Sequence, residues 1–221
     1  MKKEGYRIYK KNLKLLLSVI LIGLFIFCFI YFLRQEKIDK VVNLEIQKCI
    51  DEALVSGLQL IGLQGGSLIS GDLLPVDGLN IAYYSFDNFI LLNEIENNLD
   101  LYIESSIQMC GEDVVFDSIK SKTSIRNRDI FNVVNVNILN NGKKVGKDYK
   151  SKLDINFNEI YSVAKEILKT ENNDLDYLSG FGFDIIVIPY EEKYIYSIRD
   201  INSLLDGIPY TFRFGRGERN E

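Results

Sequence analysis

Residues 15–33 read LLLSVILIGLFIFCFIYFL, 19 consecutive residues without a charged side chain. At about 1.5 Å per residue, a helix of this length spans ~28 Å, close to the thickness of the hydrocarbon core of a bilayer. Lys14 precedes the stretch and Arg34 follows it, and Tyr9 and Tyr31 are placed to sit at the two membrane interfaces. The sequence therefore predicts a transmembrane helix over residues 15–33.

Two alternatives to a membrane anchor are a cleaved signal peptide and a buried core helix. A signal peptide has an apolar region of only ~7–15 residues that ends in small residues at the cleavage site. Here the apolar run is longer and ends in Tyr31-Phe-Leu-Arg34. A core helix rarely has cations stacked at one end of so long an apolar run. Both features favour an uncleaved signal-anchor.

Charge on the two sides of the apolar run predicts its orientation. Residues 1–14 carry six cations and one acid, whereas residues 34–48 carry four cations and three acids. Positive charge is enriched in cytoplasmic loops, so we expect a single-pass protein of the plasma membrane with a cytoplasmic N-terminus. The predicted organisation is a cytoplasmic basic tail over 1–14, an extracytoplasmic domain over 34–214 and a loose polar tail over 215–221.

The composition of the chain after the apolar run limits what this domain does. It holds 20 Lys and Arg against 30 Asp and Glu, a net charge of −10, which argues against a nucleic-acid partner. Apolar residues make up 47% of the whole chain, enough for a packed core. The chain has no histidine, which removes the commonest general base and zinc ligand and makes a Ser-His-Asp triad impossible. We predict no catalytic, cofactor-binding or metal-ligating residue.

Periodic apolar residues predict that the first helix continues beyond the membrane. One apolar stripe recurs at steps of three and four through Ile38, Val42, Ile46, Cys49, Ile50, Ala53 and Leu54. The helix is expected to run toward Gly57, and the following Gly62, Gly65 and Gly66 predict a stop and turn. A phosphate-binding loop is the alternative for residues 62–67, but the Gly-Lys-Ser/Thr ending is missing and a helix precedes the segment.

The remaining pattern predicts an α+β domain of helices packed on an antiparallel sheet. A second helix over about 94–110, with a capping box between Asn93 and Glu96, places Ile95, Leu99, Tyr102, Ile103, Ser106 and Cys110 on one face. Strands follow on both sides of a turn at Asn141-Gly142, and a third helix follows them. Residues 183–188 predict a central strand, and turns at Glu191-Glu192 and Asp206-Gly207 predict two more strands over residues 193–198 and 210–214.

Two cysteines lie outside the apolar run. Cys49 and Cys110 each fall on the apolar face of a predicted helix, and in an oxidising space such a pair favours a disulfide. Two buried free thiols are the alternative. Cys28 lies within the apolar run, where it is interpreted as a small apolar residue.

Charged and aromatic clusters offer candidate contact surfaces. Five lysines surround the Asn-Gly turn: Lys143, Lys144, Lys147, Lys150 and Lys152. Four more cations precede the first strand of this hairpin: Lys120, Lys122, Arg126 and Arg128. Together they suggest contact with anionic partners such as lipid headgroups or acidic polymers. Protection of an edge strand against aggregation is the favoured alternative. Sequence-close carboxylates (Glu94 and Glu96, Asp174 and Asp176, Glu191 and Glu192) are expected on solvated faces. Core packing is expected for Tyr194, Tyr196, Tyr210, Phe212 and Phe214, with an exposed platform as the alternative.

The order of features resembles a group of single-pass membrane-anchored surface proteins from small-genome archaea. The similarity lies in the anchor, residues 46–54 (IQKCIDEAL), 62–66 (GLQGG), 102–110 (YIESSIQMC) and 200–214 (DINSLLDGIPYTFRF). No activity is assigned to that group, so the resemblance implies only an archaeal cell-surface setting and paired ectodomain cysteines.

Taken together, the sequence predicts a membrane-anchored surface protein whose domain binds a partner or copies of itself without catalysis. Its expected partners are the lipid bilayer and either another surface protein or itself. An accessory subunit or enzyme of an extracytoplasmic complex is the first alternative. A pilin-like filament subunit is the second, although the cations after Gly5 (Arg7, Lys10, Lys11 and Lys14) would lie inside the apolar stem of a pilin.

Overall fold

A computed structural model describes residues 2–68, 72–76, 78–110, 115–140, 143–170, 175–191 and 193–217; side chains are described for these except 2–19, 34–41, 86, 140, 143–145 and 175–176. The chain divides into two compact units, Met1–Glu45 and Ile46–Glu221. The first contains the N-terminal part of helix α1, Lys2–Leu63, and the second contains the end of that helix and all other elements.

The first unit is helical and exposes a continuous apolar surface. Twelve large apolar side chains between Ile20 and Leu33 are exposed, with Phe25 at 75% and Phe27 at 69%. The expected span begins at Leu15, and the side chains of residues 15–19 lie outside those described. In the described part of the chain, no helix meets the combined length and hydropathy needed to cross a membrane.

The second unit contains three further helices and eight strands. The helices are α2 (Leu92–Ile107), α3 (Phe157–Lys169) and α4 (Leu175–Ser179), and a 3₁₀ turn spans Phe86–Asn88. The strands are β1 (Asp72–Val76), β2 (Leu79–Tyr84), β3 (Phe116–Ile125), β4 (Ile130–Asn140), β5 (Lys143–Leu153), β6 (Asp184–Tyr190), β7 (Lys193–Leu205) and β8 (Ile208–Arg216). This composition confirms the predicted α+β class.

The strands form two sheets where the sequence suggested one. Sheet A has the order β1-β2-β8-β7-β6, and sheet B has the order β3-β4-β5. Neighbours pair antiparallel except β2 and β8, which pair in parallel at Tyr83↔Gly215 and Tyr84↔Arg216. Sheet A is therefore mixed, and β8 extends two residues into the segment predicted as a polar tail. Asn140 pairs with Lys143, so the hairpin expected at Asn141-Gly142 has the predicted register, although those two residues lie outside the described ones.

The core of the second unit is built from one apolar face of each long helix. From α1 it receives residues spaced by three and four, with Ile50, Leu54, Leu58 and Ile61 at 0% exposure. From α2 it receives Ile95, Leu99, Ile103 and Ile107, and from α3 Ile160, Ala164, Ile167 and Leu168. The predicted α2 face is confirmed as core at Ile95, Leu99 and Ile103, whereas its other three members are half-buried: Tyr102, Ser106 and Cys110. Phe157 of α3 packs edge-on against Phe212 of β8, with ring centroids 5.8 Å apart.

Helix α1 continues past Gly57 and ends at Leu63. Gly57 lies inside the helix, at a point where α2 approaches closely. A Cβ on Gly57 would lie 2.6 Å from the Tyr102 ring, which explains why a residue without a side chain is placed there. Gly65 and Gly66 adopt φ of 74° and 95°, which a glycine tolerates without strain, and the Gly66 N–H donates to the Ile61 carbonyl at 2.7 Å. The glycine-rich segment is thus a helix stop, as expected.

Two local predictions are wrong. The apolar strand expected at the centre of a sheet is β6, and it lies at the edge of sheet A with alternating side chains exposed. The predicted capping box of α2 is shifted by two residues, because the Glu94 carboxylate accepts from the Leu91 N–H at 3.0 Å. Asn93 and Glu96 do not form it, since Glu96 accepts instead from the Ile125 N–H.

The turn at Asp206-Gly207 joins β7 to β8 as predicted. Both residues adopt positive φ, 49° and 78°, the geometry of a tight turn between antiparallel strands. The strand β7 is longer than residues 193–198, with a register irregularity between Asp200 and Leu204. Glu191 lies in the β6–β7 turn with φ of 55°, and Glu192 lies outside the described residues.

Candidate functional site

A disulfide joins the two helices that carry the paired cysteines. Cys49 of α1 and Cys110, just after α2, are bonded, and their Cα atoms are 6.3 Å apart. Gly57 contacts α2 two turns further along α1, so the two helices are held together by a covalent bond and by close packing. The predicted disulfide is confirmed. Cys28 is a free, exposed cysteine in the first unit.

The five lysines predicted to contact anionic partners do not share one surface. Strand pairing places Lys150 and Lys152 on the same face as Val133 and Phe131, and places Lys147 on the opposite face beside Val136. Lys150 and Lys152 are exposed. The side chains of Lys143 and Lys144 lie outside those described.

Two cations from an earlier segment join this face. Lys122 pairs with Val133, which pairs with Lys150, so the two lysines flank a half-buried valine across three strands. Lys120 is exposed one step along β3 on the same face. We call Lys120, Lys122, Lys150 and Lys152, together with Phe131 and Val133, the lysine face. Sequence order separates its cations by about 30 residues, and only the strand register brings them together.

Nearby groups modify the charge of the lysine face. The Lys152 ammonium lies 2.7 Å from Asp154 and 3.4 Å from Asp129. Hydrogen bonds to these two carboxylates raise the pKa of Lys152, and the bond to Asp154 has the larger effect. The Arg126 guanidinium lies 5.0 Å from the centroid of the Phe131 ring, within the range of a cation–π contact. Lys120, Lys122 and Lys150 are the other exposed cations of this face, and Asp148 lies on it opposite Asn135.

On the other side of sheet B, Lys147 packs on an aromatic side chain. Its ammonium lies 4.9 Å from the centroid of the Tyr149 ring. Tyr149 is buried, and burial raises the pKa of its phenol. Lys147 therefore makes a local cation–π contact with Tyr149.

A row of carboxylates on α2 hydrogen-bonds to the outer strand of sheet B. Glu96 accepts from the Ile125 N–H at 2.7 Å, and Glu104 accepts from the Ser121 N–H at 2.7 Å. Between them, Asp100 accepts from the hydroxyls of Ser121 (2.8 Å) and Thr123 (2.7 Å). Sequence analysis missed this row, although the i, i+4, i+8 spacing of three acids on one helix face was a usable signal.

A buried asparagine completes the polar contact between α2 and sheet B. The Asn132 amide nitrogen donates to the Ser121 and Thr123 hydroxyls at 2.8 and 2.9 Å, and the residue is fully buried. The carbonyl oxygen of Asn132 has no hydrogen-bond partner among the described residues. The carboxylates of α2, the two hydroxyls and the Asn132 amide nitrogen are all hydrogen-bonded. The network therefore holds α2 and sheet B in one relative position.

The aromatic residues of the last strands lie in the core. Tyr196, Tyr210, Phe212 and Phe214 are at most 2% exposed, which confirms core packing for these four, while Tyr194 is 41% exposed. Burial raises the pKa of Tyr84 and Tyr210 far above its ordinary range, and for Tyr84 the nearby Glu94 carboxylate adds to the effect. The titratable groups with raised pKa values in the core are thus packing tyrosines.

Tyr84 and Tyr210 differ in how their hydroxyls are satisfied. The Tyr84 hydroxyl donates to the Gly65 carbonyl at 2.9 Å. The Tyr210 hydroxyl has no partner among the described residues and lies against Gly62. Tyr210 also lines a cavity of about 250 Å³ whose other walls are Gln59, Leu63, Leu205, Ile208, Pro209 and Thr211.

The other sequence-close carboxylates were expected on solvated faces, and the structure describes the side chain of Glu191 among them. Asp174 and the side chain of Asp176 lie outside the described residues, and Glu191 is an exposed turn residue. Within the described ranges, no group of three or more Asp, Glu or Cys side chains is arranged to hold a metal ion.

Comparison with known proteins gives no relative: no family model, no curated protein and no solved structure matches this chain. The resemblance to archaeal surface proteins therefore stays a prediction.

Proposed function

We propose that this chain is a single-pass membrane protein whose second unit is a non-enzymatic binding or assembly domain. The anchor is residues 15–33, the N-terminus is cytoplasmic and the second unit is extracytoplasmic. The observation that supports the anchor is the exposed apolar surface from Ile20 to Leu33, which water solvates poorly and lipid accommodates without cost.

Exposed apolar side chains on the second unit support the binding or assembly role. Ile201 (65% exposed), Leu204 (53%) and Ile208 (61%) lie near the β7–β8 turn, and Ile186 (48%) lies on β6. Leu204 and Ile208 point to opposite faces of the hairpin, because Ile208 pairs with Leu205. Large exposed apolar side chains on a folded domain are available for contact with another macromolecule. The carboxylate row of α2 is instead engaged in holding α2 to sheet B.

Extraction of membranes tests the anchor. We expect the full chain to stay in the membrane pellet after alkaline carbonate treatment, and a variant with Ile22, Phe25 and Phe29 changed to Lys to be released. The matched control changes Ile201, Leu204 and Ile208 to Ser, which removes exposed apolar side chains elsewhere and should leave the chain in the pellet. Release of the unaltered chain by carbonate would reject the anchor.

Protease protection in sealed cells tests the orientation. An added protease should cleave tags placed after residue 221 and spare tags placed before residue 1, because six cations precede the apolar run. Cleavage of the N-terminal tag alone would reverse the proposed orientation.

Contact of the lysine face with an anionic partner is a second candidate role, favoured by the convergence of Lys120, Lys122 and Lys150 across two strands. Changing these three to Gln should abolish retention on an anionic matrix at low salt, because about three ionic contacts are lost. Changing Lys165 and Lys169 of α3 to Gln is the control. Equal retention of both variants would reject this role.

A further inference from the structure

The cavity of about 250 Å³ lies between the last turns of α1 and the β7–β8 hairpin, and none of the roles described above uses it. Within the described residues, no wall of this cavity carries a charged side chain. Ile208 is 61% exposed, so one wall reaches the surface of the second unit. The walls are apolar at Leu63, Leu205, Ile208 and Pro209, and polar at Gln59, Tyr210 and Thr211.

Gly62 brings α1 into contact with β8 at the edge of the cavity. A Cβ on Gly62 would lie 2.5 Å from the Thr211 carbonyl oxygen and 2.7 Å from the Tyr210 hydroxyl. Gln59 lies about one helical turn before Gly62 and therefore on the same face of α1. Because the Tyr210 hydroxyl is buried in this contact, the polar walls that can reach a bound molecule are Gln59 and Thr211.

Thr211 directs its backbone groups away from β7. In an antiparallel pair the N–H and C=O of one residue point to the same side, and that side alternates from residue to residue. The Thr211 carbonyl lies against Gly62, and further along the chain the Gly217 N–H donates to the Tyr84 carbonyl of β2 at 3.0 Å. In the described part of the chain, β2 pairs with β8 only through Tyr83 and Tyr84. The Thr211 N–H therefore faces the side of α1 without a strand partner there.

Gln59 supplies a second hydrogen-bonding group to the cavity. Its side chain is half-buried, and across the described ranges its carboxamide has no hydrogen-bond partner. A carboxamide both donates and accepts hydrogen bonds. Together with the Thr211 N–H, Gln59 therefore offers a bound molecule donors and an acceptor without any charge.

We propose that this cavity binds a small uncharged amide that carries a branched apolar group. The C=O and N–H of an amide complement the Thr211 N–H and the Gln59 carboxamide, and the apolar group packs against Leu63, Leu205 and Ile208. An ionised ligand would lose its hydration without gaining a counter-charge. An apolar cavity of about 150 Å³ already holds benzene, so the larger volume here is sufficient for a leucine-sized group and its amide.

Methyl NMR of the full chain in lipid nanodiscs tests the site, with N-acetyl-leucinamide as the probe. We expect saturable shifts of the Leu63, Leu205 and Ile208 methyl signals, and no shift of Leu99 or Ile103 in α2. N-acetyl-leucine has the same apolar group but a carboxylate in place of the terminal amide. It should bind at least about tenfold more weakly, because no cation lines the cavity to offset its desolvation. Absence of saturable shifts at the three cavity residues, or equal affinity for the two probes, would overturn the proposal.

A matched pair of variants tests the contact with Gln59. Gln59→Leu removes the carboxamide but keeps a side chain of similar size, and should weaken binding of N-acetyl-leucinamide about fivefold, the effect of one lost neutral hydrogen bond. Gln64→Leu lies in the turn after α1 and outside the cavity walls, and should leave the affinity unchanged. Unaltered methyl signals of Leu99 and Ile103 show that each variant is folded. Equal affinity of the two folded variants would contradict the proposed amide contact.

This inference deepens the proposed binding role and rests on it, but it does not depend on the anchor. Carbonate extraction scores membrane retention, and the methyl shifts score the cavity. Shifts confined to Ile186 and Ile201, which are exposed outside the cavity, would keep a binding role for the second unit and reject the amide site. A chain released from the membrane rejects the anchor, and the same titration of the released chain then decides the site.

Discussion

The Glu104 carboxylate accepts a 2.7 Å hydrogen bond from the backbone N–H of Ser121, so a helix side chain occupies the position that a neighbouring strand would take. Glu96 does the same for Ile125, four residues further along the strand. Eight residues of helix rise about 12 Å, and four residues of strand rise about 13 Å, so acids spaced by four match strand residues spaced by two. Helix α2 thereby closes the edge of sheet B.

The carboxylate row predicts a specific pattern of stability in the full chain held in mild detergent. Glu104→Ala leaves the Ser121 N–H without its charged acceptor and should lower the free energy of unfolding by about 1–3 kcal/mol. Glu104→Gln keeps an acceptor oxygen and should retain much of that stability. Urea unfolding followed by tyrosine fluorescence measures the difference.

Glu52→Ala serves as the control for this comparison. Glu52 forms only an exposed ion pair with Lys48, at 3.5 Å, and its loss should change stability by less than about 0.5 kcal/mol. If Glu104→Ala were no more destabilising than Glu52→Ala, the carboxylate row would have no role in holding α2.

Gly62 should not tolerate a side chain. A Cβ at this position would lie 2.5 Å from the Thr211 carbonyl oxygen of β8, a backbone atom that cannot rotate away. Gly62→Ala should lower the free energy of unfolding by about 1–3 kcal/mol despite the higher helix propensity of alanine. Gly23→Ala, where nothing lies within 4 Å, is the helical control and should leave the second unit unchanged. Equal stability of the two variants would contradict the close approach of α1 to β8.

Two tyrosines should respond in opposite directions to the loss of their hydroxyls. Tyr84→Phe removes the hydrogen bond to Gly65 and should destabilise the second unit by about 1 kcal/mol. Tyr210→Phe removes a buried hydroxyl without a described partner, so stability should stay level or rise. Thermal unfolding by near-ultraviolet circular dichroism distinguishes these cases, and a larger loss for Tyr210→Phe would show that its hydroxyl is bonded.

The same tyrosines predict alkaline unfolding. Burial raises the pKa of Tyr84, Tyr196 and Tyr210 in the folded state, while unfolded tyrosine has a pKa of about 10. The folded state therefore binds the phenol protons more tightly, and stability should be constant below about pH 10 and fall as pH rises above it. The Tyr84→Phe, Tyr210→Phe double variant should show a shallower fall in urea titrations between about pH 9 and pH 12. An identical slope would contradict the prediction.

The disulfide should stabilise the second unit substantially. Cys49 and Cys110 are 61 residues apart, and closing a loop of that length is worth about 4 kcal/mol in the chain-entropy model. Replacing both cysteines by Ala should lower the urea midpoint accordingly. Adding reductant to the unaltered chain should reproduce that shift, whereas Cys28→Ala should not change it.

Local sequence patterns predicted the elements of this fold better than their arrangement. The part of the predicted stripe from Ile46 to Leu54, the alternation of Tyr210, Phe212 and Phe214, and the turn at Asp206-Gly207 are each encoded within a few neighbouring residues. Strand order depends on long-range pairing, which short patterns do not specify. The apolar run of β6 therefore looked like a central strand, although it is an edge.

Among the candidate sites too, local patterns were predictable from sequence and long-range arrangements were not. The cysteine pair was predictable because both residues fell on apolar helix faces. The basic residues of the lysine face were recognised in the sequence, but their arrangement was not. Strand register alone places Lys122 and Lys150 on either side of Val133, and it puts Lys147 on the opposite face. Glu96 was expected on a solvated face because its partner, the Ile125 N–H of β3, leaves no trace in side-chain composition.

The parallel pairing of β2 with β8 has a consequence for biosynthesis. Strand β8 is made last among the described strands, yet it occupies the middle of sheet A. A ribosome must therefore release the chain through Arg216 before β1 and β2 can join β7 and β6. Both cysteines emerge some 100 residues earlier, so oxidation can precede completion of the sheet. The chain order thus allows the disulfide to close the helical pair before the last strand of sheet A has been made.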